Sequence, residues 1–295
     1  MKSFFTTFIF LFFLHIALYA QKLTQELTQK LTLDSTKMLC DVWTEKKNGT
    51  FHFYVKNTYL VPQQIYIIVK TAYNIEFMNK NVDNMLYGIV PSQQEKFLFA
   101  SIKLLDSVKK KGFNYVFYKN IGNPDIVPDT NFVYMLPYEV GTKRFVMQGY
   151  NGRFSHKNQF ALDFKMRVGT PIHAARGGVV IEAKNDSDKR GRSSEFAKFG
   201  NFINILHPDG TYAIYYHLKK DGVLVNIGDT VAIGQKIGFS GNTGWSTGPH
   251  LHFSVKKPIK SGSVTIPTLF LGKKNRKNRI KSWNFYRCRA VTNSK

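Results

Sequence analysis

The sequence is poor in cysteine, with only Cys40 and Cys288 in 295 residues. Two thiols far apart in the chain argue against a zinc site built from cysteines alone. In an oxidising compartment the two could pair and join the two ends of the chain, and two free, buried thiols are an equal alternative. The residue directly after Ala20 is not a cysteine, so the sequence does not suggest lipidation at that point.

Long apolar runs are also scarce, because the single one is Phe4–Leu18 near the start of the chain. Lys2 precedes this run and the small residue Ala20 follows it, which is the pattern of a secretory signal peptide. The run is short for a membrane span, and no later stretch is long and apolar enough for one. We therefore predict a signal peptide over residues 1–20, export to the periplasm or the medium, and no transmembrane anchor after cleavage.

Acidic residues are few: 19 Asp and Glu face 42 Lys and Arg, which gives a formal net charge of +23. Such a balance favours polyanionic surroundings, and the basic run Lys273–Lys281 by itself would suit nucleic acid. Export argues against that partner. We expect anionic cell-wall or envelope polymers instead, and no nucleic acid.

Helix signals are rare, whereas 25 Phe and 15 Tyr favour strands, so we predict an all-β protein. Short β-prone runs separated by turn residues indicate an N-terminal antiparallel β-sandwich-like accessory domain over residues 21–130. A second β domain follows over residues 131–272, and residues 273–295 read as a basic C-terminal tail. The runs assigned to the first domain are 51–55, 64–70, 96–103 and 113–118.

A loop rich in Gly, Ser and Thr, residues 238–249, leads into a strand that begins at His250. Polar and apolar residues alternate from His250 to Val255, so His250 and His252 are predicted to share one solvent-accessible face. The loop lacks the lysine of a phosphate-binding loop. Two imidazoles side by side behind a small-residue loop suggest a metal or acid–base site, which requires partners from elsewhere in the chain.

Three further candidates lie earlier in the chain. His156 ends a Gly-containing loop, and Asp163 lies in the middle of an alternating strand, where a salt bridge or a metal would satisfy it. His217 is predicted to share a strand face with Ala213 and Tyr215. A catalytic zinc takes three N or O ligands from the protein, and these candidates with His250 and His252 exceed that number. The pattern leaves open which histidine binds metal and which moves protons.

Three motifs resemble those of the M23 (lysostaphin-type, LytM) zinc metallopeptidases: His156 with Asp163, Tyr216-His217-Leu218, and Gly248-Pro-His-Leu-His-Phe253. Supporting motifs occur in the same order, and the resemblance covers about residues 148–255. The commoner family form has three residues between the first His and the Asp, whereas here there are six. We expect the extra residues to lengthen the loop without moving either ligand. The resemblance implies an antiparallel β catalytic domain with a narrow groove.

The resemblance also implies one Zn²⁺ per chain, held by His156, Asp163 and His252. His217 and His250 would flank the water as general base and as stabiliser of the tetrahedral intermediate. Tyr150 is an additional candidate, as a donor to the oxyanion.

The implied function is that of a zinc-dependent endopeptidase, a peptidoglycan hydrolase. It would cut peptide bonds in the stem peptides or cross-links of bacterial cell walls by metal-activated water. The alternative is a catalytically silent protein of the same fold that binds the cell wall and regulates another murein hydrolase.

Overall fold

Two antiparallel sheets make up the N-terminal part of the computed structural model, which describes residues 38–78, 84–105, 112–260, 262–272 and 277–291. The predicted signal peptide lies outside the described residues. One sheet has the strand order β1-β2-β6-β4 and the other the order β5-β3-β7. The strands are β1 (Cys40–Lys47), β2 (Thr50–Asn57), β3 (Gln63–Tyr73), β4 (Ile75–Phe77), β5 (Met85–Val90), β6 (Gln94–Leu104) and β7 (Gly112–Ile121).

Inward-facing aliphatic and aromatic side chains of both sheets form one buried cluster, which includes Phe53, Ile65, Ile67 and Ile102. Alternation within each strand produces this cluster, because every second side chain points into the space between the sheets. The sandwich-like arrangement predicted from the sequence is confirmed, and its four predicted runs fall within β2, β3, β6 and β7.

The rest of the chain is built around an 11-stranded sheet whose main path is β16-β12-β14-β15-β19-β10-β9-β23. A 3-10 helix, Ser194–Phe199, lies between β13 and β14. The strands are β8 (Val133–Tyr134), β9 (Lys143–Gln148), β10 (Ala161–Lys165), β11 (Pro171–His173), β12 (Gly178–Lys184), β13 (Arg190–Gly191), β14 (Asn201–Leu206), β15 (Tyr212–Val223), β16 (Thr230–Val231), β17 (Lys236–Ser240), β18 (Gly244–Trp245), β19 (His250–Ile259), β20 (Gly262–Ile266), β21 (Leu269–Leu271), β22 (Lys277–Asn278) and β23 (Asn284–Arg287).

The three central strands of this sheet, β15, β19 and β10, carry the main core. Tyr215, Phe253 and Phe164 are at most 1% exposed and pack beneath the sheet. Burying aromatic side chains of this size stabilises the domain by about 2 kcal/mol each. This core fixes the strands whose opposite faces carry the candidate site.

The turn between β14 and β15 is pinned by Asp209. One carboxylate oxygen accepts the Thr211 hydroxyl at 2.7 Å, and the other accepts Asp129 N at 3.0 Å and Arg176 Nη1 at 2.8 Å. Although burial acts the other way, these hydrogen bonds and the guanidinium lower the pKa of Asp209 to about 2. The carboxylate thus joins the hairpin to the segment that precedes β8.

Residues 39–295 form one compact unit. The N-terminal sheets contact the far end of β19, where Gln64 Nε2 donates to Ile259 O at 3.1 Å and Asn120 Nδ2 donates to Lys260 O at 3.4 Å. Cys40 and Cys288 are both buried and both free. Within the described ranges, no helix has the length and apolar character needed to span a membrane.

Candidate metal centre and groove

Asp163 and His252 come together because β10 and β19 are antiparallel neighbours in which these two residues are cross-strand partners. His252 Nδ1 lies 3.0 Å from Asp163 Oδ1. His250, two residues before His252, is the partner of Lys165, and its Nε2 is 3.8 Å from the same oxygen. The shared face predicted for the two histidines is confirmed, but it is enclosed: His250 is buried, and His252 is half-buried.

His156 reaches the same carboxylate from the loop between β9 and β10, with its Nε2 at 3.2 Å from Asp163 Oδ2. A tight turn absorbs the additional residues of this loop: Gln159 N donates to His156 O at 2.9 Å, and Asn158 adopts a φ of +57°. The imidazole Nδ1 donates to Gly149 O at 3.1 Å, which fixes the ring. The turn therefore allows His156 to lie beside Asp163 although six residues separate them in the chain.

Gln148, which the sequence reasoning did not single out, connects this loop to Asp163. Its Nε2 donates to Asp163 Oδ2 at 3.1 Å and to Ser155 Oγ at 2.8 Å. Its Oε1 accepts the backbone N–H groups of Phe154 at 3.0 Å and Ser155 at 3.2 Å. The available signal was a polar residue in a run of β9 that is otherwise apolar, from Phe145 to Met147.

The side chains of His156, Asp163 and His252 form a group that could hold a metal ion, since one ligand atom from each lies within 4.8 Å of the others. Two ligands of a tetrahedral zinc, each about 2.1 Å from the ion, are about 3.4 Å apart, close to the separations found here. His156 Nε2 is also buried without a hydrogen-bond partner. A cation would satisfy this atom, so the donor set fits a metal.

The negative charge of the Asp163 carboxylate and the positive charge of a protonated imidazole beside it stabilise each other. Burial opposes ionisation of Asp163, but the imidazoles of His156 and His252 hold the pKa of its carboxyl well below the usual value. Burial likewise lowers the pKa of His156, and the Asp163 carboxylate outweighs that effect and raises it. The buried carboxylate is therefore an anion that attracts a positive charge.

His217 enters the cavity through a β-bulge, which corrects the predicted strand face. Ala213 and Tyr215 are core residues, and simple alternation would place His217 with them. In the register with β14, Asn201 pairs with Leu218 and Phe202 with Tyr216, so His217 is the extra residue. Its φ of +66° is in the left-handed region and redirects the side chain, so that Tyr216 and His217 both line the cavity.

The glycine-rich loop orients both histidines outside the metal group. His217 Nδ1 donates to Thr243 O at 2.7 Å, and His250 Nδ1 donates to Gly248 O at 2.7 Å. A carbonyl only accepts, so Nδ1 carries the proton and Nε2 is left as an acceptor in each ring. Burial and the neighbouring imidazoles lower the pKa of His217 to about 3, and burial lowers that of His250.

These side chains line a cavity of about 840 Å³. One wall consists of residues 242–248, which are hydrogen-bonded to residues 187–192. Gly244 N donates to Lys189 O at 2.8 Å, and Trp245 Nε1 donates to Arg192 O at 2.8 Å. The other wall includes Phe154 and Trp283, which are 86% and 69% exposed. Residues 187–192 therefore support a wall of the groove.

Tyr150 is the one predicted site residue that the structure does not bring to the cavity. Its hydroxyl is 2.6 Å from Thr268 Oγ1 and accepts Thr268 N at 3.0 Å. The ring packs edge-on against Phe160 in the core. The hydroxyl is thus engaged by Thr268, between β20 and β21, and the role of Tyr150 as an oxyanion donor stays a prediction.

The fold and the site define a class: a β-sheet domain with a His/Asp metal group at the floor of a groove. Residues 157–265 match the family model described as Peptidase family M23, so this part of the chain belongs to that family. The matched segment begins directly after His156. The family match therefore does not include His156. Its position in the site rests on the 3.2 Å between its Nε2 and Asp163 Oδ2.

The chain resembles several known proteins over part of its length. It is 42% identical over 122 residues to an uncharacterized metalloprotease of Buchnera aphidicola, covering 40% of this chain and 29% of that protein. It is 38% identical over 108 residues to the peptidoglycan DD-endopeptidase ShyA of Vibrio cholerae, covering 36% of this chain and 22% of that protein. The chain thus spans less than a third of the length of these curated relatives.

Among solved structures, the catalytic domain of lysostaphin from Staphylococcus simulans is 33% identical, and the match covers 42% of this chain and 87% of that one, with a TM-score of 0.32.

Proposed function

We propose that this protein is a zinc-dependent endopeptidase that hydrolyses peptide bonds of bacterial peptidoglycan. The observation that carries the proposal is the convergence of His156, Asp163 and His252 at the floor of a groove, with His217 and His250 beside them. One curated relative, ShyA, is named as a peptidoglycan DD-endopeptidase, and the segment that matches the M23 family model contains four of these five residues. Peptidoglycan is therefore the substrate class that we assign to the groove.

The three ligand residues would hold one zinc ion through His156 Nε2, His252 Nδ1 and a carboxylate oxygen of Asp163. When bound, the ion would supply Lewis-acid polarisation of the scissile carbonyl and lower the pKa of a water towards ~7. Gly149 O and Gln148 Nε2 keep His156 and Asp163 oriented, since each holds one ligand from outside the group.

His217 and His250 would move the proton. Their ring centroids are 4.4 Å apart, and each presents an unprotonated Nε2 while Nδ1 is held by a backbone carbonyl. One Nε2 accepts a proton from the attacking water, and the protonated ring can then donate it to the leaving amine. The neighbouring imidazole would stabilise the oxygen on which negative charge develops only in its protonated form, in which its Nε2 can donate.

The groove admits an extended peptide with small side chains. Small residues dominate the wall from Gly241 to Gly248, and the aromatic rings of Trp245 and Trp283 offer apolar surface on the two sides. Such a site suits a slim peptide containing Gly or D-Ala better than a bulky one.

The predicted accessory domain would hold the catalytic domain on its substrate and leave the groove open. Among the described residues that line the groove, none comes before Met147. The excess of positive charge, which is +23 in the full chain, would keep the protein on an anionic wall after export. The division into domains at residues 130 and 272 remains a prediction.

The test compares wild type with His252→Ala. Zinc content is measured by mass spectrometry of the metal, and cleavage is measured by chromatography of the peptides released from purified sacculi. We expect about one zinc per chain and released peptides for wild type, and the loss of both in the variant. His52→Ala is the control, because His52 lies on the N-terminal sheet and contacts Ser101.

Two results would contradict the proposal. Cleavage by a zinc-free His252→Ala protein would show that the metal group does not carry the activity. Zinc binding by wild type without cleavage of any sacculus preparation would favour the alternative, a silent protein that regulates another murein hydrolase.

A further inference from the structure

A second cavity, of about 760 Å³, lies beside the groove and is lined by nine residues. Four of them are cations, none is acidic, and two are phenylalanines. They include Lys143, Arg144, Lys165 and Arg167, with Phe145 and Phe285. We call this feature the basic cavity.

The cations of the basic cavity are not neutralised by the protein. Across the described parts of the chain, no carboxylate forms an ion pair with Lys143, Arg144, Lys165 or Arg167. Arg144 Nε is moreover buried and makes no hydrogen bond there. A buried donor without an acceptor is costly, and several unpaired cations in one concave site raise the local concentration of anions.

The basic cavity continues the sheet face that carries the candidate site. Lys165 is the cross-strand partner of His250 and lies two residues after Asp163 on β10, so all three side chains share one face. A bulge in β9, where Gln148 pairs with Asp163 and Val146 with Phe164, leaves Met147 as the extra residue. This extra residue breaks the alternation, so that the adjacent residues Met147 and Gln148 both line the groove, while Val146 lies in the core and Phe145 lines the basic cavity.

Strand β23 joins the two cavities from the other side. Phe285 pairs with Phe145, and their rings are 5.0 Å apart at the basic cavity. Trp283, just before the strand, packs on the other side of Phe145 at 6.0 Å and lines the groove. The predicted C-terminal tail thus supplies an aromatic surface that runs from the groove to the cations.

We infer that the basic cavity binds a free carboxylate of the peptide substrate and thereby selects peptides that carry one near the bond to be cut. This inference rests on the proposed function. Peptides carry negative charge as carboxylates, and guanidinium and ammonium groups bind these through charge-assisted hydrogen bonds. The basic cavity is separated from the metal group by about two residues along a strand and one strand across the sheet. This separation is roughly 8 Å, the length of about two to three residues of extended peptide.

The experiment uses cross-linked peptides obtained from sacculi by a glycosidase, either untreated or with their carboxylates converted to carboxamides by carbodiimide and ammonia. Hydrolysis is measured for zinc-loaded wild type, for the double variant Lys143→Gln with Arg167→Gln, and for a control, Lys46→Gln with Lys47→Gln. The control removes the same charge from exposed positions on β1. Both substitutions in each variant are at exposed side chains, so folding is preserved.

We expect amidation to lower kcat/KM of wild type by about fivefold, mainly through KM, as for loss of one or two exposed ion pairs. On untreated peptides, kcat/KM of the basic-cavity variant should be lower than that of wild type by about the same factor. On amidated peptides, the variant and wild type should have equal kcat/KM. The control should behave as wild type.

The outcomes separate this inference from the proposed function. If wild type cleaves both substrates with equal kcat/KM, the basic cavity does not read a carboxylate, although the endopeptidase proposal stands. Inhibition by polyphosphate that depends on Lys143 and Arg167, with no effect of amidation, would assign the site to phosphate and overturn the inference. If wild type cleaves neither substrate, the proposed function fails, and the inference fails with it.

Discussion

Replacing Gln148 by alanine is expected to weaken metal binding although Gln148 is not a ligand. Its carboxamide makes four hydrogen bonds, one to the Asp163 carboxylate and three to Ser155 and Phe154 in the loop that ends at His156. Removing it releases two of the three ligands from their support at once. The substitution thus tests whether the loop and the carboxylate are held as a unit.

The magnitude follows from these contacts. A hydrogen bond to a charged group contributes about 1.5–3 kcal/mol and a neutral one about 1 kcal/mol. Phe154 and Ser155 are exposed residues, so their backbone N–H groups can bind water when Gln148 is removed, which reduces the net loss. A net loss of about 2 kcal/mol in the metal-bound state corresponds to about 30-fold in affinity. Loss of a group that orients a metal ligand costs about 10- to 100-fold, which agrees.

The assay is competition for zinc with a chromophoric chelator, and Gln159→Ala is the matched control. Gln159 lines the same cavity, is exposed, and stands where a spacing of three residues would place the first histidine. We expect Gln159→Ala to bind zinc as wild type does. Wild-type affinity in Gln148→Ala would refute the supporting role, and a loss only in Gln159→Ala would show that the ligand loop has another arrangement.

Two further predictions concern residues away from the metal. Tyr150→Phe should keep kcat/KM on sacculus peptides within about twofold and lose about 1 kcal/mol of unfolding free energy in urea, because the hydroxyl binds Thr268; a drop of 100-fold or more would restore Tyr150 as an oxyanion donor. Asp209→Asn should cost about 1–2 kcal/mol at neutral pH, since hydrogen bonds and Arg176, acting against burial, lower the pKa of Asp209 from 3.8 to about 2, and solvent screens part of this interaction. A carboxyl with a depressed pKa stabilises the folded state above its unfolded pKa, so most of the difference between wild type and variant should be lost as pH falls from about 4 to 2. An undiminished difference in unfolding curves at pH 2 would contradict this assignment.

Local pattern was sufficient wherever side-chain direction follows regular alternation. The pair His250 and His252 could be placed on one face from the sequence because a strand repeats every two residues, and β19 is regular there. The same holds for Asp163 in β10 and for the strands of the N-terminal sandwich. Family motifs then named the five residues that the structure groups around one cavity.

Alternation fails where a strand contains an extra residue, and both bulges beside the site are such places. His217 and Met147 are the inserted residues of β15 and β9, and neither insertion is visible until the partner strand is known. The register of a strand pair depends on contacts across the sheet, which a single strand does not encode. Sequence pattern therefore placed His217 on the strand face of Ala213 and Tyr215, which are core residues in the structure.

Long-range pairing decided the remaining differences. Tyr150 and Thr268 are far apart in the chain, and only the folded core brings the hydroxyl to its partner and away from the groove. In the same way, the basic segment at the C-terminus becomes β23 because β9 offers an open edge, which carries Trp283 to the groove.

The sequence alone determined the kinds of residue and the local geometry: an all-β chain, an excess of positive charge, and a His/Asp set in strand and loop contexts that suit a metal. The tertiary structure decided which atoms meet. It placed His156 against Asp163 through a tight turn, rotated His217 into the cavity through a bulge, and joined the groove to a basic cavity. These outcomes depend on strand register and on loop closure, which are properties of the whole packed sheet.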